Sequence, residues 1–310
     1  MVKHFLHLIR YQNLVLIALV QFLVHQYLII AFFPNATLCT FHFILLLFST
    51  VTIAAAGNCI NDIYDVEIDK INKPNCIIVD RFISKKNAFN IYFILNIIGV
   101  GLGFYIANNI SKPSFAVIFI FTSLLLYSYS TRLKSKLLIG NMAISILVAL
   151  SILIIPIFEI VPVITSENQP LALYIFKITL LYAAFAFYIN LLREFVKTVE
   201  DVNGDFNFSV TSIAIILGKS RTLKLVAVLI TIPLIFILQL TYTYIYINSW
   251  ATAYSIFLVF SPLIFISTLC WKANSKKSVK KINMLLKVAM FLGILSILVL
   301  HFTKIFEHYA

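Results

Sequence analysis

Charge is what this chain has least of. Only 12% of its 310 residues are Asp, Glu, Lys or Arg, and 61% are hydrophobic. Soluble domains carry about 25% charged residues, so this composition excludes an ordinary soluble fold. The alternating apolar–polar pattern of a membrane β-barrel is absent too, which leaves helices as the spanning element. Cysteine is limited to Cys39, Cys59, Cys76 and Cys270. These form no CxxC pair, and reduced thiols are expected. No apolar stretch gives way to a long soluble region, so a single membrane domain over 1–310 is expected. No internal repeat is visible.

What the chain has instead is a series of long apolar runs. A helical span of a bilayer core needs about 20 mostly apolar residues. Nine runs qualify: 12–33, 40–60, 88–108, 114–130, 137–159, 171–192, 223–244, 253–271 and 284–303. The first follows Met1–Arg10 and is too long for a signal peptide, with no small-residue cleavage site, so it reads as a span. Pro156, Pro233 and Pro262 lie within runs and are expected to kink them. The fold class expected is therefore an all-α polytopic membrane protein.

The net charge of +12 could suggest nucleic acid as a partner, but its distribution argues otherwise. With the N-terminus inside, all of the 24 Lys and Arg residues except Lys112, Lys177 and Lys304 fall on the inner side. This is the positive-inside pattern. It sets the C-terminus outside. Connections 34–39, 109–113, 160–170 and 245–252 are short, whereas 61–87 and 193–222 are long, cytoplasmic and charged. The long pair is expected to build a cap over a cavity facing the cytoplasm.

Acidic residues are scarcer still, and they are clustered. Of 12, all but Asp80, Glu159, Glu167 and Glu307 sit in two stretches, 58–69 and 193–205. On a helix, Asn58, Asp62, Asp65 and Asp69 fall within an arc of about 60°, and Glu67 points away. Asn190, Glu194, Lys197, Asp201 and Asp205 fall within about 80°, if that helix continues past Gly204. Carboxylates on one face repel one another unless a cation neutralises them. Oxygen-only donors favour Mg²⁺, and neither cluster has the His or Cys ligands that suit zinc. Beside a membrane, the natural ligand of such a metal is a lipid diphosphate. Arg193 and Lys197 could contact its phosphate oxygens. A single DxxD reads more readily as a solvated helix end; two aligned clusters on one membrane side do not. A third segment, Tyr127 to Lys136, holds Tyr129, Arg132 and Lys134 at the inner end of the fourth run; taken alone it reads equally as an aromatic belt with topogenic charges.

Together these residues resemble the UbiA superfamily of intramembrane prenyltransferases. Asn61-Asp62-x-x-Asp65-x-x-x-Asp69, with Asn58 one turn earlier, is similar to the family's NDxxDxxxD motif. Asp201-x-x-x-Asp205 is similar to its DxxxD motif. Tyr129-Ser130-x-Arg132-Leu133-Lys134, then Gly140-Asn141, resembles its YSxxLK…GN segment, and Arg10-x-x-Asn13 its RPxN opening, with Tyr11 in place of proline. The stretch Arg193 to Asp205, and Asp69-Lys70-Ile71-Asn72-Lys73-Pro74, resemble the geranylgeranylglycerol-phosphate geranylgeranyltransferase-like branch. Cys76 and Asp80 depart from the family pattern, and Arg81 is the residue available to replace a lost diphosphate contact.

The resemblance implies nine helices around a central cavity and transfer of an isoprenyl chain from an allylic polyprenyl diphosphate to a lipid acceptor. Asp62, Asp65, Asp69, Asp201 and Asp205 would hold Mg²⁺. Tyr129 would shield the allylic cation. Asn13, Asn58, Asn61, Lys73, Arg132, Lys134, Arg193 and Lys197 would bind the substrates. Geranylgeranylglyceryl phosphate is the acceptor this branch implies; an aromatic acceptor of a quinone or heme pathway is the alternative. A transporter would place its charges near the bilayer midplane on broken helices, and here midspan charges are nearly absent. A catalytically silent lipid-binding relative is the remaining reading.

Overall fold

The computed structural model describes residues 2–33, 35–208 and 210–305. Pro34 and Ser209, within the 34–39 and 193–222 connections, and the last five residues of the expected 1–310 domain lie outside the described residues. Nine helices long and apolar enough to cross a membrane are present among the described residues. They are α1 (Tyr11–Ile29), α2 (Thr40–Tyr64), α3 (Lys85–Asn109), α4 (Pro113–Thr131), α5 (Ile139–Val163), α6 (Gln169–Asn207), α7 (Lys219–Ile245), α8 (Ser249–Lys272) and α9 (Lys276–Phe302). Each coincides with one expected run. No strand occurs among the described residues, only an isolated bridge between Val79 and Ile83.

Two expectations about the connections need correction. The 193–222 stretch is mostly helix: α6 runs 39 residues to Asn207, and a short helix, Ile213–Leu217, follows. At 1.5 Å per residue α6 is about 58 Å long, so it outreaches a bilayer core of about 30 Å. Hydropathy marks where the apolar part of a helix ends, whereas the backbone ladder persists as long as nothing breaks it. The first cluster, conversely, is not on one helix. The chain bends at Asp65 between α2 and the short helix Val66–Asn72. The bend is mild, because Asp65 N–H still reaches Asn61 O and Asp69 N–H reaches Asp65 O.

The three prolines sit in different local backbones. Before Pro233 the helical run is interrupted at Ile230, and before Pro262 a π-helical turn spans Ser255–Phe260. At Pro156 the α-helix continues to Glu159.

Helices pack closely where small residues meet bulky ones. A Cβ on Gly103 of α3 would stand 2.3 Å from the Phe119 ring of α4, so only glycine lets these helices approach so near. At the end of the bundle away from the carboxylate clusters, Glu159 is fully buried against His25, 2.8 Å away, and its other oxygen accepts the Leu38 N–H at 3.0 Å. His25 also stacks on Phe43. This pair ties the α1–α2 connection to α5.

Candidate active site

The two acidic stretches meet at one end of the bundle. Two contacts join them directly. Lys73, just beyond the first cluster, lies 2.9 Å from Asp201 Oδ1 and donates to its Oδ2 at 3.0 Å. Asn72 Oδ1 accepts the Gly204 N–H at 2.8 Å. A Cβ at Gly204 would fall 2.4 Å from the Asn72 amide, so glycine is required for Asn72 to dock there. Lys276, at the start of α9, donates to the Asn72 carbonyl at 3.0 Å and closes this corner.

Other segments bring their own cations. Arg10 has its backbone in the left-handed region (φ 52°) at the start of α1, and its guanidinium donates to Asp62 at 2.6 Å. Asn58 donates to the carbonyl of neighbouring Ile9 at 2.9 Å, fixing that turn. Lys134, in the turn after α4, pairs with Asp65, to which Asn61 also donates at 2.6 Å. Lys197 lies 3.5 Å from Glu194 on α6.

Asp69 and Asp205 have no ion-pair partner among the described residues, although Asp205 is buried. Burial, then the nearby Asp65 charge, raises the Asp69 pKa, with Lys73 and Lys134 only partly offsetting this. Lys134 shows the converse: burial, the largest single influence, lowers its pKa, but Asp65 and Tyr129 together outweigh it and the net shift is upward. Immediately around Asp69 and Asp205, negative charge is therefore in excess of its ion-pair partners.

That excess bears on a metal. Among the described residues, no three acidic or His/Cys side chains already converge on a point that could hold an ion. The donor set is nonetheless all carboxylate oxygen, and two buried or half-buried carboxylates lack a counter-charge. This chemistry suits a hard divalent cation with phosphate oxygens completing its shell.

Behind the carboxylates lies a cavity of about 250 Å³. Its near wall is polar, with Arg10, Asn13, Asn58, Asn61, Tyr129 and Glu194. Its far wall is apolar, with Val20, Ile53, Leu126, Leu147 and Ile294. Tyr129 is buried and faces the cavity from its polar side. Asn13 is held by Lys287 Nζ at 2.7 Å, and Arg193 donates to Asn190 at 2.9 Å and Asn283 at 3.1 Å.

Most residues singled out from the sequence are thus gathered here. Arg132 is not: it is exposed and makes no ion pair with either cluster, and Lys134 alone of that pair reaches one. Arg81 is exposed, lies over the Phe82 ring and is not among the residues lining the cavity. Asp80 occupies a left-handed turn position (φ 65°), a conformation that Asp tolerates better than most residues, and accepts the Lys85 N–H at 3.2 Å. Two residues of the cavity wall had no role assigned from sequence. Glu194 shares the face of the second cluster. Lys287 counts among the inner-side charges although it falls inside the expected run 284–303, and it lies within α9. Its signal was Asn283, four residues earlier on the same helical face.

Known proteins resemble this chain along most of its length. A digeranylgeranylglyceryl phosphate synthase of Korarchaeum cryptofilum (strain OPF8) is 34% identical over 249 residues, covering 78% of this chain and 80% of its own. The structure solved for digeranylgeranylglyceryl phosphate synthase in membranes superposes with a TM-score of 0.61 at 25% identity, over 97% of this chain and 99% of that one. A UbiA homologue from Archaeoglobus fulgidus, bound to GPP and Mg²⁺, shares the fold with a TM-score of 0.53 at 15% identity, over 95% of this chain and 99% of that one. The model of the UbiA prenyltransferase family matches residues 15–299, and the chain belongs to that family.

Proposed function

We propose that this protein transfers an isoprenyl group from an allylic polyprenyl diphosphate to geranylgeranylglyceryl phosphate, in the membrane, with Mg²⁺. The observation that carries the reading is the junction of the two carboxylate clusters, through Lys73–Asp201 and Asn72–Gly204, tied by Arg10–Asp62 and Asn61–Asp65 to the polar lining of an otherwise apolar cavity. The relatives' names support the acceptor. The charge distribution along the sequence supports a site that faces the cytoplasm, and the single family match supports one domain.

Asp62, Asp65, Asp69, Asp201 and Asp205 would hold the metal, which when bound neutralises charge on the diphosphate. Lys73, Lys134 and Arg10 each sit on a carboxylate and are placed to turn toward incoming phosphate oxygens. As the C1–O bond breaks, the electron pair leaves with the diphosphate and C1 becomes an allylic cation. Tyr129 shields that cation from water on the cavity wall. The acceptor hydroxyl oxygen then bonds to C1 and releases its proton. The apolar far wall takes the chain, and each buried CH₂ contributes about 0.8 kcal/mol.

The test uses purified protein, Mg²⁺, a panel of allylic diphosphates, and geranylgeranylglyceryl phosphate beside aromatic acids, with products read by mass spectrometry. Prenylation of the glyceryl phosphate is expected. Asp62→Asn and Asp201→Asn should abolish transfer while the protein remains inserted and folded, and EDTA should do so reversibly. Full activity in either variant would overturn the two-cluster mechanism. Prenylation of an aromatic acid alone would overturn the acceptor.

A further inference from the structure

Charge at the polar end of the cavity is unevenly matched. Four cations have carboxylate partners: Arg10 with Asp62, Lys134 with Asp65, Lys73 with Asp201, and Lys197 with Glu194. Of the cations that line the cavity itself, two have none among the described residues. Arg193 donates only to the amide oxygens of Asn283 and Asn190, and Lys287 only to that of Asn13. Asn190 is itself anchored, donating to Ser145 Oγ at 3.2 Å. Both cations belong to membrane-crossing helices and both line the cavity. Neutral amides orient a cation without cancelling its charge. Two oriented cations with no close ion pair, beside an apolar cavity in a membrane, are costly alone and favour a bound anion, although the neighbouring Glu194 carboxylate offsets part of the Arg193 charge.

The place of this pair separates it from the carboxylates. Arg193 precedes Asp201 by eight residues, roughly 12 Å along the α6 axis. That is two turns deeper, farther than a diphosphate held at Asp201 extends. The pair joins α6, α9 and α1, and apolar side chains such as Val20 and Ile294 continue the wall. A phosphate monoester carries close to two negative charges near neutral pH, matching two cations, whereas a carboxylate carries one.

We infer that Arg193 and Lys287, held by Asn13, Asn190 and Asn283, form a seat for the phosphate monoester of the lipid acceptor, distinct from the diphosphate site at the aspartates. The inference rests on the acceptor reading above and assigns Lys287 as a residue that selects phosphorylated acceptors. Lys134 and Lys197, each engaged by a carboxylate, are not part of the seat.

The experiment uses the full chain in nanodiscs, as wild type, Lys287→Met, Lys287→Arg and Arg193→Gln. Steady-state kinetics are measured for donor and acceptor. Binding of geranylgeranylglyceryl phosphate, and of the same lipid alcohol lacking phosphate, is measured without donor or Mg²⁺. Thermal unfolding checks that each variant is folded. Lys287→Met and Arg193→Gln should raise the acceptor KM about ten- to a hundredfold and leave the donor KM within about twofold, the size expected for loss of a charge-assisted contact. Binding of the phosphorylated lipid should fall alike, binding of the alcohol should not change, and Lys287→Arg should recover most of the loss. Equal loss for donor and acceptor would assign the pair to the diphosphate. Equal loss for lipid phosphate and alcohol would reduce it to a packing role. Either overturns the inference, as does a variant with no change. If wild type prenylates only aromatic acids, the acceptor reading fails. The binding arm still decides the seat: a preference for phosphate over alcohol that Lys287→Met removes supports it, and no preference overturns it.

Discussion

At the scale of single residues, the best-defined contact is the docking of Asn72 onto Gly204. It joins the end of the first motif to the middle of the second, and neither residue is a carboxylate. Asn72 is buried, its side chain accepts the Gly204 N–H, and its carbonyl accepts Lys276. It therefore has little freedom to yield to a new methyl group. Gly204→Ala should cost about 1–3 kcal/mol in thermal unfolding, the usual penalty of overpacking, and should lower transfer by shifting Asp201 and Asp205. Gly101→Ala is the control. A Cβ there meets nothing within 4 Å, so alanine in that helix interior should be neutral or add up to about 1 kcal/mol. If the two variants unfold alike, Asn72 is not a fixed dock. From sequence, Asp62, Asp65, Asp69, Asp201 and Asp205 were legible because acidic residues are so rare in this chain. Lys287 was not, because a lysine near a run of lysines reads as one more loop charge. Only the tertiary structure shows it facing Asn13.

At the scale of elements, α6 decides how the second cluster is presented. Asn190, Glu194, Lys197, Asp201 and Asp205 share a face only while the backbone stays helical beyond the apolar part of the span. The structure keeps it so to Asn207. Asn203 is exposed on this helix and is suited to a test. Asn203→Pro removes the bond to the Val199 carbonyl and crowds the preceding turn, at a cost of about 3 kcal/mol or more. Transfer should be lost although the protein still inserts, whereas Asn203→Ala should stay active. An active proline variant would mean that the cluster works without a continuous helix. The nine spans were legible because apolar length is a strong signal. The reach of α6 and the bend at Asp65 were not. The first depends on a helical ladder continuing through polar residues. The second depends on packing between elements far apart in sequence, with Lys134 and Asn61 both on Asp65.

At the scale of the whole molecule, the fold divides by chemistry. One end holds the carboxylates, their cations and the polar part of the cavity lining, and the other holds the buried His25–Glu159 pair and short connections. Positive charge follows the same division, and the orientation proposed from it has the carboxylate end facing the cytoplasm. Cysteine labelling in a Cys-depleted background tests this on the intact membrane. Ser84 and Ser275 are the obvious sites by position, but each caps a helix, accepting the N–H of Asn87 and Ser278 respectively. Replacing an N-cap costs about 0.5–2 kcal/mol and would confuse topology with stability. Lys86 and Lys277 are exposed, lie within the same two segments and cap nothing, so cysteines there should react only with a reagent supplied from the cytoplasm. Glu167, exposed in the connection before α6 at the opposite end, should react only from outside. The inverse pattern would place the carboxylates on the outer face. The charge asymmetry would then have to serve something other than orientation, and a cytoplasmic diphosphate would have no route to the site.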